Sequence, residues 1–205
     1  MTRTMMRGAA SAALLSAALL ATGCMAMDGT TSAQEPMDHA AMGHDATVTV
    51  GGAAMYPNRT IVENAVNSPI HTTLIAAVTA AGLVETLSGP GPFTVFAPTN
   101  DAFAKLPAGT VETLVQPASK ATLTKILTYH VVAGRLSAAD ILAQINAGGG
   151  RAMLTTVEGG TLTASLRGSS VILTDEKGGV ATVTQADVFQ SNGVIHVTDT
   201  VSMPN

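Results

Sequence analysis

The sequence of 205 residues predicts a domain of the α+β class over residues 56–205. Three observations support this class. Apolar residues recur at helical spacing between residues 60 and 145, and runs typical of strands follow between 161 and 198. Turn residues, chiefly Gly, Pro and Asn, separate these segments. Helices that precede strands within one compact length are typical of α+β domains. Since the segments contain no internal repeat, we expect one domain.

The predicted helices each carry apolar residues on one face. They are residues 61–66, 74–81, 100–105, 111–115, 120–128 and 137–145. Gly82 is expected to end the second helix, because glycine readily adopts the left-handed conformation that follows many helices. Ser137 and Asp140 have the spacing of a capping box, in which each side chain bonds the backbone of the other, and they are expected to begin the last helix.

The predicted strands begin with a short one after the rigid turn of residues 89–92. They are residues 93–97, 161–166, 171–174, 181–184 and 193–198. Asn192-Gly193 before an alternating apolar run is a hairpin turn signal. Thr99, Asn100 and Asp101 are expected to cap a helix, since short polar side chains bond free helix N–H groups. We interpret His196, inside the last strand, as a structural histidine.

Residues 1–23 are predicted to be a lipoprotein signal peptide. Arg3 and Arg7 form a basic start, and the apolar run that follows is too short to span a bilayer. The segment Leu20-Ala21-Thr22-Gly23-Cys24 resembles the lipobox of bacterial lipoproteins, with its Leu one position earlier than usual. The resemblance implies that Cys24, the single cysteine, is acylated and becomes the mature N-terminus. The alternative is an ordinary secretory signal, which would leave the protein secreted.

Residues 24–55 are predicted to be a flexible tether, because they are mostly small and polar without a sustained period. Removal of the signal peptide leaves eight basic and fourteen acidic residues, a net charge of −6. An acidic chain without clustered Lys and Arg is a poor partner for nucleic acid or anionic lipid. Attachment to a membrane would therefore depend on the acyl chains of Cys24. We expect an extracytoplasmic protein, in the periplasm or at the cell surface.

Three segments of the predicted domain resemble the signatures of the fasciclin domain. Residues 93–103 (FTVFAPTNDAF) are similar to its first signature, and residues 127–132 (LTYHVV) to its Tyr-His motif. Residues 192–199 (NGVIHVTD) resemble its second signature. The three occur in the order of the family, and the resemblance covers about residues 57–204.

The resemblance implies a wedge-shaped β-sandwich with several helices packed on it. It also implies a non-catalytic role, without a cofactor, in adhesion or binding of an extracellular or envelope protein or polysaccharide. The family's binding role is associated with the Tyr-His region. The corresponding candidate ligand-binding residues are Leu127, Tyr129, His130, Val131 and Val132. The polar tips of Tyr129 and His130 also fit a role in buried hydrogen bonds, so both roles stay open here.

The sequence contains none of the catalytic motifs that an enzyme of common type would need, such as a Gly-x-Ser-x-Gly elbow, a His-Glu-x-x-His helix or a phosphate-binding loop. We therefore expect no enzymatic activity. An alternative function is extracytoplasmic copper binding by the tether, because thioether and imidazole groups suit copper. The candidate ligands are Met37, His39, Met42 and His44.

Overall fold

Nine strands and seven α-helices form the fold of residues 47–205, which are the residues that the computed structural model describes. The strands are β1 (Val48–Val50), β2 (Ala53–Met55), β3 (Phe93–Pro98), β4 (Val131–Ala133), β5 (Arg151–Thr155), β6 (Thr161–Arg167), β7 (Ser170–Thr174), β8 (Val180–Gln190) and β9 (Gly193–Thr198). The helices are α1 (Ile61–Ala65), α2 (Thr72–Ala81), α3 (Val84–Ser88), α4 (Asn100–Ala104), α5 (Thr110–Leu114), α6 (Lys120–Tyr129) and α7 (Ala138–Ala147). A short 3₁₀ helix, Pro117–Ser119, precedes α6.

Seven of the strands form one mixed sheet in the order β4-β3-β9-β8-β7-β6-β5. Only the β3–β9 pair in this sheet is parallel. The register of β8 against β9 shifts twice between Val183 and Val188, and such bulges bend a strand. A bridge from Val132 to Thr156 then brings the β4 and β5 edges together. The α+β prediction is confirmed, and the strands of the expected sandwich belong to one sheet that nearly closes on itself.

Two apolar clusters lie on opposite faces of β3. Val95 joins a cluster formed mainly by α1, α2, α3 and α6, whereas Phe96 joins a cluster with side chains of α7 and the β5–β8 strands. All six residues of β9 are buried as well. A strand that is covered on both faces is apolar throughout rather than alternating, which explains the continuous run Gly193-Val194-Ile195.

The predicted helix ends are confirmed where capping chemistry was visible in the sequence. Ser137 and Asp140 form the capping box of α7, and Gly82 ends α2 with φ of +75°. Thr99 caps α4 by accepting a hydrogen bond from Ala102 N–H at 3.2 Å. Asn100 instead caps the first turn of α2, because its Oδ1 accepts from Thr73 N–H at 3.0 Å.

The prediction of a flexible tether was wrong for residues 48–55. These residues form the antiparallel β1–β2 hairpin, whose turn places Gly51 and Gly52 at positive φ. Val50 and Met55 are 1% and 2% exposed, so the hairpin contributes to the first core cluster. Two strands of three residues are too short to show a period, and this is why the sequence pattern missed them. The signal peptide, Cys24 and the candidate copper ligands lie outside the described residues.

Candidate functional site

The Tyr-His region lies where α6 ends and β4 begins. Leu127 and Tyr129 belong to the last turn of α6, His130 is its C-cap, and Val131 and Val132 start β4. All five residues are at most 5% exposed. These five side chains therefore present almost no surface to a partner.

The Tyr129 hydroxyl group is used within the domain. It donates to the carbonyl of Thr161 at 2.7 Å and accepts from Glu176 N–H at 3.2 Å. Burial raises the pKa of this phenol to about 12, so it stays protonated and keeps its donor. A Cβ atom added at Gly160 would lie 2.7 Å from the Tyr129 ring, which explains a glycine at this position. Tyr129 thus holds the β5–β6 and β7–β8 connections against α6.

Both ring nitrogens of His130 also form hydrogen bonds within the domain. Ser202 N–H donates to Nε2 at 3.0 Å, so Nδ1 must carry the proton that is shared with the Ile126 carbonyl at 2.8 Å. Burial lowers the pKa of His130 and keeps the ring neutral. Of the two roles left open for Tyr129 and His130, the geometry fits the buried hydrogen-bonding role. Because both side chains are buried, neither presents an exposed polar group to a partner.

The second signature supplies two further structural side chains. Asn192 accepts from Ile61 N–H at 3.0 Å and donates to the carbonyls of Leu87 and Gly89, and it therefore fastens α1 and α3 to the β8–β9 turn. His196 is 1% exposed. It binds the Leu136 carbonyl through Nε2 at 2.8 Å and accepts from Asp187 N–H at 3.3 Å. The predicted structural roles of this turn and of His196 are confirmed.

Sequence reasoning missed a third buried histidine, His71, which is 2% exposed. Its Nδ1 lies 2.8 Å from the Ser68 hydroxyl group, whereas its Nε2 is the one buried side-chain nitrogen or oxygen without a hydrogen bond among residues 47–205. The Ala97 carbonyl is near enough to oppose the effect of burial on the pKa, but it does not form a hydrogen bond of acceptable geometry. Burial has the larger effect and lowers the pKa of His71. A lone His before a helix gave no signal of this environment.

Exposed apolar side chains lie close to the Tyr-His region, on β5 and the residues after it. Burial alternates strictly from Arg151 to Val157, with the odd-numbered residues exposed. Met153 is 75% exposed and Val157 is 48% exposed. Val157 N–H donates to the Val131 carbonyl at 2.7 Å, so β4 supports this segment directly. We call the outward row of Arg151, Met153, Thr155 and Val157 the β5 ridge.

Two negative observations apply to the described part of the chain. Within residues 47–205, no three His, Cys, Asp or Glu side chains are grouped closely enough to hold a metal ion. In the same range, no helix is both long and apolar enough to cross a membrane.

Comparison with known proteins gives a consistent result. The model of the fasciclin domain matches residues 69–204. Protein sll1483 of Synechocystis is 50% identical over 77% of this chain and 81% of its own length. The cell surface glycolipoprotein MPB83 of Mycobacterium bovis is 35% identical over 76% of this chain and 64% of its own. A solved FAS1 domain pair from the insect cell adhesion molecule fasciclin I is similar in fold, with a TM-score of 0.63 and 17% identity, over 77% of this chain and 57% of that one.

Proposed function

The chain belongs to the fasciclin-domain family, and on this basis we propose that it is a lipid-anchored, non-catalytic adhesion module outside the cytoplasm. Proteins of this family are generally extracellular adhesion proteins without enzymatic activity, which supports the general role. The proposal adds an anchor at Cys24 and a protein partner for the β5 ridge.

The anchor is supported by the sequence around Cys24 and by the relative that is named as a cell surface glycolipoprotein. In this proposal Cys24 carries the acyl chains that attach the protein to the membrane, because a mature chain of net negative charge has little attraction of its own for anionic lipid. Two or more chains give stable attachment where one chain is marginal.

The anchor is tested by fractionation of cells that express the full chain. Cys24→Ala should move the protein to the soluble extracytoplasmic fraction or leave it unprocessed, whereas Ser32→Ala should stay in the membrane fraction. Mass spectrometry of the mature protein should find acyl chains on Cys24. An unmodified Cys24 in the mature wild-type protein would contradict the anchor.

The observation that carries the binding proposal is the 75% exposure of Met153 beside exposed Arg151 on the same ridge. Met and Arg are enriched in protein interfaces, and the core of an interface is depleted of Lys and Glu. Val157 extends the apolar part of the ridge. We infer a protein partner, because the ridge has no aromatic ring on which a sugar could stack.

In this proposal the Tyr-His region supports the binding surface without touching the partner. β4 holds the end of the ridge through the Val157–Val131 hydrogen bond, and Tyr129 holds the connection that follows β5 through the Thr161 carbonyl. A change at Tyr129 would therefore weaken binding and stability together. A change on the ridge would weaken binding alone.

The ridge is tested with the double variant Met153→Asp and Val157→Asp. Beads coated with full-length protein should lose at least about tenfold in adhesion to cells of the source organism, since charges would replace the apolar contacts. Both side chains are exposed, so the melting temperature should change little. Val66→Asp is the matched control, because Val66 is 59% exposed and lies outside the ridge. Equal adhesion of the ridge variant and the control would refute a contact role for the ridge.

A further inference from the structure

The first apolar cluster contains a cavity of about 30 Å³. Its walls come from the β1–β2 hairpin, α1, α2, α6 and the covered face of the sheet. Val50 and Met55 of the hairpin lie on one side, and Val95 and Ile195 lie on the sheet side. Nearly all of its lining is apolar, with His71 and His130 as the exceptions.

His71 brings a free hydrogen-bond donor to this cavity. The buried Ser68 hydroxyl group has one partner, the Nδ1 atom of His71. The hydroxyl proton is satisfied if Ser68 donates, which makes Nδ1 the acceptor and leaves the ring proton on Nε2. The unbonded Nε2 is therefore an N–H group. His130, the other histidine in the lining, offers no donor because both of its nitrogens are already bonded.

An unpaired donor in an apolar cavity is destabilising unless something accepts its hydrogen bond. A cavity of this size has room for water, but a buried water needs two to four polar partners. The Nε2–H group supplies one and the nearby Ala97 carbonyl at most a second, which is the lower limit for a buried water. The chemistry of the lining therefore favours an occupant that is apolar on most of its surface and accepts one hydrogen bond.

We propose that this cavity is a binding site for a small uncharged molecule that is apolar except for one acceptor, such as the carbonyl group of a ketone or an ester. The carbonyl oxygen accepts from Nε2–H of His71, and the aliphatic part contacts Leu74, Val78 and Met55. The flexible thioether side chain of Met55 lets the cavity enlarge for molecules of a few carbon atoms.

The β1–β2 hairpin is the route of entry in this proposal. It lies outside the large sheet and outside the part of the chain that matches the family model, residues 69–204. Apart from the packing of Val50 and Met55, a hydrogen bond from Gln185 Nε2 to the Thr49 carbonyl at 2.9 Å holds it to β8. Displacement of the hairpin removes one wall of the cavity.

The test uses acetone and 2-methylpropene, which differ by the replacement of the acceptor oxygen with a methylene group. Each is titrated into full-length protein with labelled Met, Val, Leu and Ile methyl groups, and chemical shifts are followed by NMR. We expect both probes to shift the Met55 and Val78 methyl signals saturably. Absence of saturable shifts at these residues for both probes would overturn the proposal.

The role of His71 is tested by the ratio of the two dissociation constants. Acetone loses more hydration on binding than 2-methylpropene does, so the ratio of their dissociation constants in the wild type alone does not isolate the hydrogen bond. The ratio is therefore compared between the wild type and His71→Phe. We expect His71→Phe to weaken the binding of acetone about tenfold relative to the binding of 2-methylpropene, which is the effect of losing one hydrogen bond. An unchanged ratio would overturn the assignment of Nε2–H as the ligand's donor.

A second pair of variants tests the location of the binding site without changing His71, in case His71→Phe does not fold. Val78→Ile adds a methylene group to the cavity lining and should weaken both probes at least about fivefold. Val171→Ile makes the same change in the other cluster and should leave both affinities unchanged. Equal effects of the two variants would show that the probes do not bind in this cavity.

Discussion

At the scale of single residues, the two side chains of the Tyr-His motif form hydrogen bonds that hold the domain together from inside. Tyr129 and His130 are neighbours in the chain, yet they hold different parts of the domain. Tyr129 reaches the carbonyl of Thr161 and the N–H group of Glu176, whereas His130 reaches Ser202. Aromatic residues with a polar tip are suited to this task, because the ring fills the core while the tip satisfies a backbone group.

Removal of the Tyr129 hydroxyl group tests this role directly. Tyr129→Phe should lower the free energy of unfolding by about 1–3 kcal/mol, because the Thr161 carbonyl and the Glu176 N–H group lose their partner. Urea denaturation of the full chain measures the loss. The matched control is Tyr56→Phe at the other tyrosine, which is 41% exposed and should change stability by less than about 0.5 kcal/mol. Equal losses in the two variants would contradict the role of the hydroxyl group.

The three buried histidines predict an acid-sensitive fold. Burial lowers the pKa values of His71, His130 and His196 below the ordinary value of 6.5. The unfolded chain therefore binds protons at a higher pH than the folded chain does. The stability from neutral histidines is fully present above about pH 6.5 and is lost as the pH falls toward the lowered folded values. For His130 the cause is concrete, since a protonated Nε2 would face the Ser202 N–H group.

Urea denaturation between pH 7.5 and 5 measures this effect. The free energy of unfolding should fall by up to about 1.4 kcal/mol per pH unit for each histidine that the unfolded chain protonates. The pKa values of Glu63, Asp140, Glu176 and Asp199 are lowered too, and their ordinary values of 4.5 or less place their contribution in a more acidic range. A constant free energy across pH 7.5 to 5 would contradict neutral buried histidines.

At the scale of elements, the sequence predicted what local chemistry determines. Ser137 with Asp140 and Gly82 marked helix ends because capping groups act within a few residues. Besides the β1–β2 hairpin, the pattern missed α3, β4 and β5, and it predicted four residues of the eleven in β8. β8 pairs with two strands and carries bulges, and its length depends on those partners rather than on its own period.

The candidate site was predicted less well than the fold for a related reason. The sequence identified the chain positions of Tyr129 and His130, but the polar tips of these side chains fitted both a surface and an interior role. Their burial depends on Thr161, Glu176 and Ser202, which are 32 to 72 residues away in the chain. The β5 ridge was not predicted at all, because the exposed face to which Met153 points is defined only once residues 151–155 are known to form a strand.

The β1–β2 hairpin is the element whose importance can be tested most simply. Met55→Ala should cost about 2–5 kcal/mol, since it removes a buried side chain next to an existing cavity. Thr49→Ala is the control within the same hairpin, because this side chain is exposed and the backbone carbonyl that Gln185 contacts is kept. Chemical denaturation measures both. A cost below about 1 kcal/mol for Met55→Ala would contradict the packing of the hairpin in the core and would favour the original prediction that residues 48–55 belong to the flexible tether.

At the scale of the whole described domain, its last residues lock the Tyr-His region into the sheet. The segment 201–205 has no regular structure, yet its backbone is bonded to side chains along its length. Ser202 N–H binds His130, Met203 N–H binds the Asp175 carboxylate at 2.8 Å, and Asn205 N–H binds the Glu176 carboxylate at 3.2 Å. Since Glu176 N–H also binds Tyr129, the segment joins both residues of the motif to the β7–β8 turn.

Deletion of residues 201–205 should therefore lower the free energy of unfolding by more than about 2 kcal/mol, because it removes buried Val201 and leaves His130 Nε2 and Asp175 Oδ2 without the N–H donors of Ser202 and Met203. It should also speed hydrogen exchange at the Glu176 amide, which faces the Tyr129 hydroxyl group. Deletion of exposed Asn205 alone is the matched control, and we expect it to have a much smaller effect. If the two deletions lower stability equally, the segment does not hold the motif, and the positions of Tyr129 and His130 are fixed by α6 and the sheet without it.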